Sequence, residues 1–203
     1  MAITYPITLS STLDPSEIII ESTSIVAMVA SIYTGKQEVQ AQQGDYWEAT
    51  IKLPQMIRAE AEEWIADLLS LKGMLGTFWL PVYEGKTPRG SVAGTPQVDG
   101  AGQTGETLNT KLWTPSTANV LMKGDYIQLD NHFYKCLTNV DSDAGGLAVV
   151  ELNHRLRVSP SDSTSLITSN CKGLFRLKDN TTKFTVGAFT MYKGFSFSAI
   201  EAI

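Results

Sequence analysis

The sequence predicts a mainly β protein with one long helix, and three observations carry that reading. Segments rich in β-branched and apolar residues alternate with period two before residue 54. One segment, 54–73, switches to a period of three and four. After residue 106, short strand-like runs return at close spacing with turn residues between them and no helical pattern, as in a small barrel or sandwich.

Taken in order, "EIIIEST" and "SIVAMVASIYTG" read as strands, bounded by Asp14-Pro15 and Gly35-Lys36. "DYWEATIKL" alternates cleanly: Trp47, Ala49, Ile51 and Leu53 face one side, Tyr46, Glu48, Thr50 and Lys52 the other, as on a half-buried strand. Gly35 to Gly44 reads as the turn region of a long hairpin. Then "PQMIRAEAEEWIADLLSLKG" places Ile57, Ala61, Trp64, Ile65, Leu68 and Leu71 on one helix face. The expected core anchors are Ile57, Trp64, Ile65 and Leu68. Pro54 suits the first turn, the glutamates at 60, 62 and 63 suit the N-terminal dipole, and Gly73 suits the position past the end. "MLGTFWLPVYE" follows as an apolar strand that Pro81 places at an edge or a strand end.

Residues 85–106 are mostly Gly, Thr, Pro and polar residues, a linker or the entry to a second domain. Strands resume at "TLNTKLW", "DYIQLD", "FYKCLTNV" and "LAVVELN". "SPSDS", 159–163, reads as a second linker, and the tail from Leu166 is again β-like. The charge follows these segments: net −7 over 1–84, zero over 85–158 and +2 over 159–203. No basic stripe exists to grip a phosphate backbone, so specific nucleic-acid binding is not expected. No apolar run approaches a membrane span, and "MAITYPITLSS" lacks a secretory pattern. Two cysteines, Cys136 and Cys171, do not make a disulfide framework and are expected to be reduced and at least partly buried.

Chemistry is sparse. "GAGQTG", 100–105, matches a dinucleotide-loop pattern but lacks the buried strand before it and the helix after it. "DSDAGG", 141–146, begins like a calcium loop but has Gly145 and Leu152 where ligands belong. His132 and Cys136 would stand about 13 Å apart on a strand, and His154 and Cys171 add no ligand spacing. No catalytic residue, metal site or cofactor is expected, and the acids read as turn residues. Trp113, Tyr126, Phe133 and Tyr134 could form a stacking platform on a small barrel, with Trp113 the candidate ligand-stacking aromatic. The other reading of these rings is core and cross-strand pairs.

The order "GDYWEATIKLP", "AEAEEWIADLLSLKG", "GTFWLPVY" resembles the ring-forming domain of siphophage distal tail (Dit) proteins. The stretch from "VDGAGQTGETLNT" through "LMKGDYIQLDNHFYKCLTNVDSDAGGLAVVELNHRLR" is similar to an antiparallel barrel module recurrent in phage tail proteins. Gly102, Gly105, Gly124, Asp125, Tyr134, Asp143 and Gly146 carry that match; the order of motifs is more specific than any one. "NHRLR", 153–157, departs from the proline-containing end expected of the module.

The resemblance implies a discontinuous ring domain of sandwich or barrel type, 1–84 with 160–203, and an inserted OB-like barrel, 85–159. It implies a virion structural protein, assembled in the host cytoplasm, that forms a homo-oligomer, a hexamer, at the tail tip. That ring would join the tail tube protein to hub or baseplate proteins. It would serve as a platform for tip proteins or fibres, border the tape measure, and leave a channel for DNA with part of the acidity facing the lumen. The alternative function is a baseplate protein whose inserted barrel binds host-surface saccharide through Trp113.

Overall fold

A computed structural model describes residues 3–10, 14–83, 85–187 and 191–203. It is mainly β with one α-helix, the expected class. In chain order the strands are β1 (Ile7–Thr8), β2 (Glu17–Thr23), β3 (Val26–Ala30), β4 (Gln37–Ala41) and β5 (Tyr46–Lys52). The helix α1 (Arg58–Ser70) and a 3-10 turn (Gly73–Leu75) precede β6 (Thr77–Pro81). Then come β7 (Gly94–Val98), β8 (Thr107–Trp113), β9 (Tyr126–Leu129), β10 (His132–Lys135) and β11 (Ala148–Glu151). The last are β12 (Lys172–Leu177), β13 (Thr185–Val186), β14 (Tyr192–Lys193) and β15 (Ser196–Glu201). The chain divides into two compact units: Met1–Thr77 with Arg176–Ala202, and Phe78–Phe175.

In the first unit β5 pairs antiparallel with β2 on one side and β15 on the other. Its alternation becomes burial: Trp47, Ala49 and Ile51 are buried while Tyr46, Glu48, Thr50 and Lys52 are half-buried. Helix α1 covers the sheet with Ala61, Trp64, Ile65 and Leu68, a stripe spaced three and four apart. The Trp64 ring lies 6.3 Å from Phe197 of β15.

Two details of the helix differ from expectation. Ile57 is not a core anchor; it is 52% exposed. Met56 forms an antiparallel bridge with Tyr192, with N···O distances of 3.2 and 3.0 Å, which keeps the backbone extended through the residue before the helix. Met56 is therefore the buried side chain, Ile57 becomes the N-cap, and Pro54 lies ahead of the first turn. The Glu60 carboxylate accepts the Ile57 N–H at 3.2 Å, half of a capping box. At the other end Lys72 takes the left-handed conformation (φ 52) directly after Leu71, and Gly73 (φ 67) is one residue further on. A Cβ on Gly73 would lie 2.5 Å from Asn180 Oδ1, so that position is tied to a close approach as well as a turn.

The second unit holds a three-stranded antiparallel sheet, β11-β8-β7, and the β9–β10 hairpin. No closed barrel forms among the described residues. Continuous ladders stop at β7 and β11, and single bridges such as Cys136–Leu152 and Leu121–Val140 take their place. The β7–β8 register shifts between Gly94 and Gln97, and Leu112 (φ 65) is left-handed, so the ladder bends where closure would need regular pairing. The compact units divide at 77/78 and 175/176, against expected boundaries at 84/85 and 159/160. Hydrogen bonds account for both placements. Ser163 and Leu166 donate to Val98 and Pro96 of β7, and Val82 donates to Cys171. Asp162, expected in a linker, binds Lys111 at 2.6 Å and accepts the Gly100 N–H at 2.8 Å.

Candidate assembly surface

The most unusual feature of the first unit is a hairpin arm. Gln37 to Ala41, read from sequence as part of a turn, form a strand, so β3 and β4 pair along five residues from Val26↔Ala41 to Ala30↔Gln37. All ten strand residues are exposed. The turn is short and locally satisfied: Ser31 N–H donates to Lys36 O, Gly35 (φ 67) N–H donates to Ser31 O, and Ser31 Oγ accepts the Thr34 N–H. At the base, Ile25 N–H donates to Asp45 and Gln42 N–H donates to Ile25 O.

Register sorts the arm into two faces. Val26, Met28 and Ala30 stand opposite Ala41, Val39 and Gln37, while Ala27 and Val29 stand opposite Gln40 and Glu38. Apart from Gln37 the first face is apolar, and the second is mixed. The tip carries the arm's most exposed large hydrophobic side chains, Ile32 at 91% and Tyr33 at 93%. Isolated two-stranded ribbons are marginal in water, and contiguous exposed apolar surface marks interaction sites.

The same unit contains a cavity of about 350 Å³ beside α1. Leu68, Leu177 and Phe195 give it apolar lining, and Asp179 to Lys183 give it a polar rim. Asn180 Oδ1 also accepts the Met74 N–H at 3.1 Å, which sets the exposed Met74 beside that rim.

The sequence-marked residues of the second unit serve turns and packing. Trp113 is buried, and its Nε1–H donates to Thr110 Oγ1 at 2.8 Å. It offers no face to a ligand, which removes the stacking role proposed for it. Phe133 and Tyr134 are buried too. Gly102 (φ 82) and Gly105 (φ 94) lie in the 99–106 loop, Gly124 (φ 96) in the turn before β9, and Gly146 (φ 75) in the turn before β11. A Cβ on Gly146 would stand 2.4 Å from Trp113 O. Asp143 Oδ1 accepts the Gly145 and Leu147 N–H groups, each at 2.8 Å. Tyr134 Oη accepts the Arg157 N–H at 3.1 Å, an anchor for the "NHRLR" exit.

Asp125 ties separate loops of the unit together. Its buried carboxylate accepts N–H groups from Arg89 and Gly90 at 3.0 Å and Met122 at 2.8 Å, and the Arg89 guanidinium stands at 3.5 Å. Burial pushes its pKa up, but the three amides and the guanidinium outweigh that and hold it below the ordinary carboxylate value. His132 opens β10 and Cys136 follows it, both buried. Burial pushes the Cys136 and Cys171 thiols up to about 12, which leaves them poor nucleophiles and metal ligands at neutral pH. No group of three or more His, Cys, Asp or Glu among the described residues is placed to hold a metal ion. No described helix is long and apolar enough to cross a membrane.

In sequence the second strand of the arm reads as turn, because "QEVQA" carries only two apolar residues. The signal was present in its alternation, with Val39 and Ala41 separated by Gln40. No family model matches the chain, and no curated protein matches it significantly.

Proposed function

We propose that this chain is a structural, non-catalytic subunit of a phage tail tip: a distal tail ring, six-fold, between the tail tube and the hub or baseplate. The β3–β4 arm carries the reading. An extended ribbon with an apolar face and an exposed Ile–Tyr tip is built to be covered by protein. The motif order set out above supplies the tail context, including tip proteins, fibres and a channel for DNA. The buried Trp113 takes away the aromatic on which the saccharide-binding alternative stood.

The test is the solution mass of the purified full chain by native mass spectrometry and light scattering. The expected particle is six times the 22.1 kDa subunit. A species that stays monomeric at every concentration up to the solubility limit would overturn the self-assembling ring.

A further inference from the structure

We draw no further inference here: the strongest candidate, the exposed apolar face of the β3–β4 arm formed by Val26, Met28 and Val39 with Ile32 and Tyr33 at its tip, carries nothing further, since nothing in the structure shows which surface covers it.

Discussion

Single residues set the stability of each unit in different ways. Trp64 is 2% exposed on α1, and Trp64→Ala should cost about 3–5 kcal/mol in urea unfolding, the range for large buried truncations. Its Nε1–H is buried with no acceptor, so Trp64→Phe should cost clearly less than the alanine, since it also removes an orphan donor. Asp125 gives a pH-dependent contribution. Its folded pKa is depressed below 3.8, so its stabilisation is complete above that value and is lost as pH falls through the lower, folded value. Asp125→Asn should therefore cost about 1–3 kcal/mol at pH 7. The gap to the parent should close in melts taken progressively below pH 3.8. A gap that stays constant down to pH 2 would mean that the carboxylate charge is not what holds the Arg89–Gly90 and Met122 amides.

At the scale of elements, the arm and the helix are opposite cases. Helix α1 owes its place to a buried stripe, and its isolated sequence would be marginal at thirteen residues. The arm has no buried face within its own chain, so its removal should leave the fold intact. Replacing residues 26–41 by a short glycine-serine turn should change unfolding free energy by less than about 1 kcal/mol, because exposed positions contribute little. The same deletion should abolish assembly, read as a shift to the monomer mass. Its two open edges and apolar face also make the free subunit prone to edge pairing, a hazard that assembly would cover.

For the whole molecule, the buried thiols report unfolding of the second unit. Cys136 and Cys171 both lie there and are both protonated at neutral pH. A thiol reagent at pH 7 should label neither in the native chain and both in denaturant, with labelling following the unfolding transition. Rapid native labelling of either would contradict their burial. The net charge of −5 is concentrated in residues 1–84, so assembly through the arm brings acidic units together. Ring formation should accordingly tighten with added salt as like-charge repulsion is screened, read from the concentration dependence of the native mass.

Periodicity alone determined the mainly β class, the helix with Trp64, Ile65 and Leu68 on its inner face, and the buried side of β5, because each depends on a pattern within one segment. Tertiary structure decided whatever required a distant partner. Tyr192 displaced Ile57 from the core by bridging Met56, a contact between residues far apart in sequence. Thr110, Gly146 and the sheet around them enclosed Trp113, deciding between its two readings, a surface stacking platform and core packing, in favour of the core. For the arm the logic runs the other way. Apolar alternation states which residues share a face, but whether anything in the same chain covers that face is a property of the whole fold. In β5 a helix and neighbouring strands cover it; in β3 and β4 the side chains stay exposed among the described residues, and that difference makes the hairpin the candidate interface.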